Sequence, residues 1–326
     1  MLNRRLFVAA SLAVSTCVTA FAPAAWAQEW PSQSVRVVVP YGAGGPADIV
    51  ARQLMTKVGT ALGQRFQVEN RTGAGGTTGM GMVAKSPADG YTLAFSAISP
   101  VTLSPHLSKL PYNAERDLTP VVPVMYAPVY VMATGAFAGK TWDDVIAQAK
   151  ERPGTVRFAT SGVGSVGHIM LEHIQAKHGV QFAHLPYKGA GQLVNDATQN
   201  FFDIMVSNPF DALTPMFEQN KLRVLAVTGP QRISQFPNAP TLAEKGLPEA
   251  NLTSTFGIFA PAGVSDDVVK KLNDTVQKQL ADPAVAKLLS STNNVALKQS
   301  AADFAAALRK ESQNNASIVK RAGIHL

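Results

Sequence analysis

Three times in this chain an apolar run ends in a glycine-rich turn that opens directly onto helical spacing, and this arrangement limits the fold more than any other feature. The turns lie in Pro40-Tyr-Gly-Ala-Gly-Gly-Pro-Ala-Asp48, Asn70-Arg-Thr-Gly-Ala-Gly-Gly-Thr-Thr-Gly79 and Thr160-Ser-Gly-Val-Gly-Ser-Val-Gly167. They follow strand-like runs at Val35 to Val39, Phe66 to Glu69 and Thr155 to Thr160. Strand, turn and helix in alternation are the signature of an α/β protein. Each turn presents backbone N–H groups at a helix start, where the helix dipole adds partial positive charge. Glycine lets successive N–H groups point at one anion. Such a turn can hold a carboxylate without a buried lysine or arginine. One glycine turn alone is an ordinary way for an α/β chain to change direction. Three together favour an anion site, because open α/β sheets take ligands at the carboxyl ends of their strands.

The remaining pattern fills two α/β lobes. Val50, Leu54, Val58 and Leu62 recur at helical spacing, and Tyr91 to Ala97 reads as a strand. A second series begins near Pro128, with strands at Val129 to Ala133, Phe182 to Leu185, Phe202 to Val206 and Leu222 to Val227. Helices are expected from Ser165 to His178 and from Gly189 to Gln199, and Thr141-Trp-Asp-Asp144 reads as a capping box. A connection rich in proline (Pro230, Pro237, Pro240, Pro248) precedes a strand at Thr255 to Ala260 and three helical patterns starting near Ser265, Asp282 and Ser300. A chain that builds one lobe, crosses to a second and returns would have this layout.

The first 27 residues read as an export signal. Arg4 and Arg5 precede an apolar run from Leu6 to about Phe21, and Ala25-Trp-Ala27 fits a cleavage site before Gln28. Asn3-Arg-Arg-Leu-Phe7 also fits a twin-arginine signal. The run is short for a membrane span. Cys17, the only cysteine, lies inside this segment behind Thr16, a poor residue for a lipid-attachment motif. The exported chain therefore has no disulfide, thiolate metal site or thiol nucleophile. The chain carries 29 Lys and Arg against 22 Asp and Glu, a formal charge of +7, with no basic run. That excludes a nucleic-acid binder and suits an anionic solute.

Other chemistries find little support. Gly162-Val-Gly-Ser-Val-Gly167 matches G-x-G-x-x-G, and Gly42 to Ala47 matches its G-x-G-x-x-A variant. The acid expected about 20 residues later is missing after the former. Ser165 and His168 invite a nucleophile–base reading, but Val163 breaks G-x-S-x-G. Ser165 reads better as a helix cap or a ligand hydroxyl. His168 either donates to a ligand or faces the inter-lobe surface. His173, His178 and His184 lack metal-binding spacing. Asp48 and Asp211 are candidate ligand contacts, although Asp48 also suits the first turn of a helix.

The segments VPYGAGGPAD, NRTGAGGTTG, ADGYTLAFS, FATSGVGSVGH, HLPYKGAG, LRVLAVTGPQR with PNAPTLAEKGLP, and FGIFAPAGVS occur in one order. With them the mature chain resembles the Bug receptors, the substrate-binding subunits of tripartite tricarboxylate transporters. The resemblance implies a two-lobe type II periplasmic-binding-protein fold with a hinged ligand cleft. It places 28–124 and 229–326 in the first lobe and 125–228 in the second. It implies a periplasmic receptor for a small organic carboxylate, with membrane transporter subunits as partners. A sensory receptor or a periplasmic serine hydrolase are the alternatives. No catalytic residue, metal or cofactor is expected, and the chain is expected to be a monomer.

The resemblance also places the ligand carboxylate between the first two glycine turns, at Tyr41, Gly44, Gly45 and Asp48 and at Ala74, Gly75, Gly76 and Thr77, partly through ordered water. The second lobe would close with Thr160, Ser161, Gly164, Ser165, His168, the turn Lys188-Gly189, and Ser207 to Asp211. Two departures bear on the ligand. Thr255-Phe256 stands where tryptophan is frequent, and Val206-Ser-Asn-Pro-Phe210 stands where an acid is frequent. An apolar wall follows, with Phe210 as a candidate lid and a plain or aromatic mono- or dicarboxylate in place of an amino acid.

Overall fold

Residues 29–322 are described by the structure, a computed structural model, and the expected signal at 1–27 lies outside them. Strand β1 (Val35–Val39) leads through the first glycine turn into α1 (Pro46–Leu62). Strand β2 (Phe66–Asn70) leads through a 3-10 turn at Ala74–Gly76 into α2 (Thr77–Ala84). Next come β3 (Thr92–Ala97), the short α3 (Ser99–Thr102) and α4 (Ser104–Leu107), and β4 (Leu118–Ala127). The chain then crosses to β5 (Tyr130–Thr134), α5 (Trp142–Glu151), β6 (Arg157–Thr160), α6 (Val166–His178) and β7 (Ala183–Pro186). It continues through α7 (Ala190–Thr198), β8 (Ile204–Ser207), α8 (Thr214–Glu218) and β9 (Leu222–Val227). It returns with β10 (Ser254–Pro261), α9 (Asp266–Leu280), α10 (Pro283–Ser291), β11 (Val295–Ala296) and α11 (Ala301–Ala322).

These strands form two mixed sheets, ordered β11-β4-β10-β3-β1-β2 and β7-β6-β8-β5-β9. Strand β1 sits between parallel neighbours, with Val37 opposite Val68 on one side and Leu93 on the other. Helices cover both of its faces, so Val35, Val37, Val38 and Val39 are fully buried and the strand reads as a continuous apolar run. On one face α1 applies the stripe Val50, Leu54 and Val58, next to Leu272 and Val276 of α9. On the other, Val38 and Phe259 meet Met80 and Phe304. The second sheet has its own two cores, around Trp142, Phe158 and Ile174 and around Met132, Leu193 and Phe202. Each such side chain contributes roughly 1.5–3 kcal/mol when buried. The capping box holds: Asp144 N donates to Thr141 Oγ1 (3.3 Å) and Thr141 N to Asp144 Oδ2 (2.9 Å).

Strand β4 is absent from the sequence pattern because Pro120 and Pro123 interrupt it. It pairs fully with β10 on one side, while β11 on the other covers only Tyr126 and Met125. The prolines lie beyond β11, where no ladder bond is required of them. The return to the first sheet also comes later than residue 229. Leu242, Leu247 and Ala250 are buried with the second sheet, and Val227 bridges Thr241. Asn251 closes this excursion, accepting from Gly229 N (3.1 Å) and donating to Gly229 O (2.8 Å).

Candidate functional site

Three helix starts converge where the two sheets face each other. Helix α1 begins after Gly45, in an extended conformation, with Pro46 at its first position, where a missing N–H loses no helical bond. Helix α6 is capped by Ser165, whose Oγ accepts from His168 N (3.3 Å). Helix α7 begins after Gly189. First-turn N–H groups have no intrahelical acceptor, so each start is a donor surface. The three starts line a cavity of about 50 Å³. The first sheet contributes Tyr41, Gly45, Pro46, Ala47, Ala97, Ser99, Ser254 and Phe256 to it. The second contributes Val129, Ser161, Ser165, Val166, Gly167, Gly189, Ala190, Val206, Ser207 and Asn208. No lysine, arginine, aspartate or glutamate is among these residues.

The halves touch around this cavity. Gly42 N donates to Lys188 O (3.0 Å). Gly75, at φ +63°, lies so close to Val163 that a Cβ would collide with the Val163 carbonyl oxygen. Gly191 in the first turn of α7 stands in the same relation to the Ala43 carbonyl oxygen. Both approaches tolerate hydrogen alone.

Of the residues expected from sequence, Tyr41, Gly45, Ser161, Ser165 and Ser207 line the cavity, as does Gly189. Burial pushes the Tyr41 phenol up to about 12, against the effect of its bonds to Ser96, Ala97 and Ser99, so it stays a neutral donor. Gly44 and Asp48 lie off the lining. The Gly44 N–H instead donates to Asp48 Oδ2 (3.0 Å), and Asp48 Oδ1 accepts from Asn70 Nδ2 (2.9 Å) and pairs with Arg52 (2.9 Å). Asp48 thus ties the first turn to β2. Ala74, Gly75, Gly76 and Thr77 also lie off the lining. Their 3-10 turn bonds to itself, Gly76 N to Gly73 O and Thr77 Oγ1 to Ala74 O, and presses on Val163. The cavity therefore sits between the first turn and the starts of α6 and α7, not between the first two turns.

Six further residues expected at the site lie off the lining as well. Thr160 is buried, 2.8 Å from His184 Nε2. Gly164 N donates to His168 Nδ1 (3.1 Å), and His168 Nε2 lies 3.4 Å from Glu172 Oε1, so His168 braces the turn from behind. Lys188 supplies its carbonyl while its side chain is exposed, and Asp211 is exposed in a 3-10 turn. Phe210 is no lid, because it is buried with Met205 and Leu213.

The lining residues without an earlier signal are mostly at strand ends, Ala97, Val129 and Ser254, and they are joined by Phe256, which the sequence marked only as a departure from tryptophan. Their chemistry is that of any core strand. Only the antiparallel register, which sets Phe256 opposite Ala97, brings them to the carboxyl edge of β3.

Comparison with known proteins follows this geometry. Residues 50–324 match the model of the tripartite tricarboxylate transporter family receptor. Protein BugT of Bordetella pertussis is 32% identical over 302 residues, 92% of each chain. Among solved structures, the periplasmic binding protein BugD aligns with a TM-score of 0.85 at 29% identity, over 91% of this chain and 99% of that one. An R. palustris protein with adipate aligns at 0.84 and 30% identity, with the same coverage. The two-lobe periplasmic-binding-protein fold expected from sequence is the fold observed.

Proposed function

The chain belongs to the tripartite tricarboxylate transporter receptor family, and from that premise we propose that it is a periplasmic receptor that holds a small organic carboxylate in this cavity and delivers it to the membrane subunits of such a transporter. One observation carries the reading: the starts of α1, α6 and α7 line a cavity that has no charged side chain. Orphan N–H groups and serine hydroxyls stabilise a carboxylate there through dipoles. A buried cation would carry a large desolvation cost and leave an uncompensated charge on release. Export rests on the leader at 1–27 and accords with the family; the receptor acts as a monomer.

The first lobe comprises the strands of the first sheet with α1, α2 and α9 to α11, and the second runs from Tyr130 to about Ala250. Val129 and Asn251 to Ser254 lie at the crossings between them. Closure brings the Gly42 N–H onto Lys188 O and completes the cavity. Ser165 and His168 do not form a nucleophile–base pair here, because Gly164 N–H occupies one ring nitrogen and the other faces Glu172.

A thermal-shift series on the mature chain tests the reading. A carboxylate present at 100 times its Kd stabilises the protein by roughly 2.7 kcal/mol. Shifts with sugars or metal cations and none with any carboxylate would overturn it.

A further inference from the structure

Helix α6 is buried on two faces that serve different partners. Met170, Leu171 and Ile174 pack into a core of the second sheet with Trp142 and Phe158. Ile169 belongs to neither core of that lobe. It is nonetheless only 1% exposed, because Leu103 and Leu107 of the first lobe and Val319 of α11 enclose it, with Leu252 of the crossing alongside. In a second lobe standing alone this side chain would meet water. Leu103 and Leu107 lie on the elbow of α3 and α4, which α11 holds from behind: Asn315 Nδ2 donates to Thr102 O (3.1 Å), and Ser312 Oγ lies 2.9 Å from His106 Nε2. One end of the elbow, Ser99, lines the cavity. The other meets Ile169, one turn into the helix whose cap Ser165 lines the same cavity. Ser104 faces the Gly162–Ser165 turn, where a Cβ on Gly164 would lie 3.4 Å from Ser104 Oγ. That hydroxyl is buried without a hydrogen-bond partner among the described residues, so no hydrogen bond from it supports the contact.

The other contacts between the halves, Gly42 with Lys188, Gly75 with Val163 and Gly191 with Ala43, are close backbone approaches. They fix the geometry of closure but bury little apolar surface. The Ile169 cluster supplies apolar surface, and its return to water on opening favours the closed form with or without a ligand. Resting on the receptor reading above, we propose that Ile169 is a positioning residue: with Leu103, Leu107 and Val319 it latches the two lobes, so that the ligand-free receptor already populates the closed form and a carboxylate completes the shift. The gap between open and closed forms is part of the apparent affinity. Ile169 therefore sets affinity and release without reaching the cavity lining.

The test needs no ligand. The only cysteine lies in the leader, so spin labels on Thr56→Cys in α1 and Asn195→Cys in α7, exposed positions in opposite lobes, report the distance between the lobes of the mature chain by double electron–electron resonance. The labelled parent is expected to show a short-distance population. Ile169→Ala and Val319→Ala, which act from opposite lobes, should each reduce it about threefold or more, and Ile169→Leu should keep it. The double variant should do no more than the stronger single one, because either change removes the same contact. Should Ile169→Ala fail to fold, Val319→Ala carries the test. Ile174→Ala is the control: it lies in the same helix but inside the second lobe, so it should lower the urea midpoint and leave the distances unchanged. A parent with long distances only, or alanine variants with the parent's distribution, overturns the latch. A shift of equal size in Ile174→Ala overturns it too, since that is general loosening. The receptor reading is untouched by these outcomes and fails instead if no carboxylate gives a thermal shift.

Discussion

His168 and His184 lie face to face behind the Gly162–Ser165 turn, with ring centroids 4.4 Å apart and planes 9° apart. The Gly164 N–H donates to His168 Nδ1, which fixes the proton of the neutral ring on Nε2, toward Glu172. His184 Nε2 meets Thr160 Oγ1. Two stacked imidazoles thus support the turn that borders the cavity.

Burial, then the neighbouring His168, pushes His184 down to about 4. A base with a depressed folded pKa binds its proton more readily in the unfolded chain. Its contribution to stability is complete above the ordinary histidine range, near 6.5, and is lost as pH falls from there toward about 4. Glu172, held below its ordinary 4.5 by the His168 hydrogen bond, loses its contribution only at lower pH. Urea midpoints should therefore decline between pH 6.5 and 4, and His184→Gln should flatten this decline. An unchanged slope in the variant would show that another group controls it.

Asp48 is the anchor of the first turn. Burial pushes its carboxyl up, but Arg52, the Gly44 N–H and Asn70 together outweigh that and hold it below the usual range. The Arg52 head is half exposed, so its share is modest. Asp48→Ala leaves Gly44 N–H and Asn70 without their acceptor and should cost about 2–3 kcal/mol in urea unfolding. A loss below about 0.5 kcal/mol would mean that water replaces the carboxylate.

Ser165 has two tasks, as cap of α6 and as a hydroxyl on the cavity. Ser165→Ala should cost roughly 1 kcal/mol of stability through the cap. It should also weaken carboxylate binding, whereas the matched control Ser265→Ala, which removes a cap from α9 away from the cavity, should leave binding unchanged. Equal affinity loss in both variants would trace the effect to stability alone.

The legible parts of the fold were those with a local cause. The run Val35 to Val39, the stripe of α1 and the Thr141 box follow from burial and capping, and they appear where the sequence puts them. Strand β4 stayed hidden because its prolines are permitted by an unpaired edge, a property of the sheet and not of the strand. At the site, Gly45, Ser161 and Ser165 announced themselves as turn chemistry. Asp48 and His168 announced themselves as strongly, yet their polar atoms face inward to hold the turns. Residue type does not distinguish a group that meets a ligand from one that positions the loop. Val129 and Ser254 gave no signal, since a core strand looks the same wherever its end emerges, and Phe256 stood out only through the resemblance, at a position where tryptophan is frequent.

Gly191 separates folding from closure. It occupies the first turn of α7, where alanine is the better helix former by up to about 1 kcal/mol. Its φ is not in the left-handed region, so the second lobe alone accepts the methyl. The obstacle is in the first lobe: the new Cβ would collide with the Ala43 carbonyl oxygen once the halves meet. Gly191→Ala should therefore unfold at the same urea concentration as the parent, or a slightly higher one, without ligand. Its affinity for carboxylate should fall at least tenfold, or about 1.4 kcal/mol, and small-angle scattering with ligand should show a wider particle than the parent. Affinity at the parent level would mean that the Ala43 turn yields to the methyl and that the Gly42–Lys188 contact does not define the bound state.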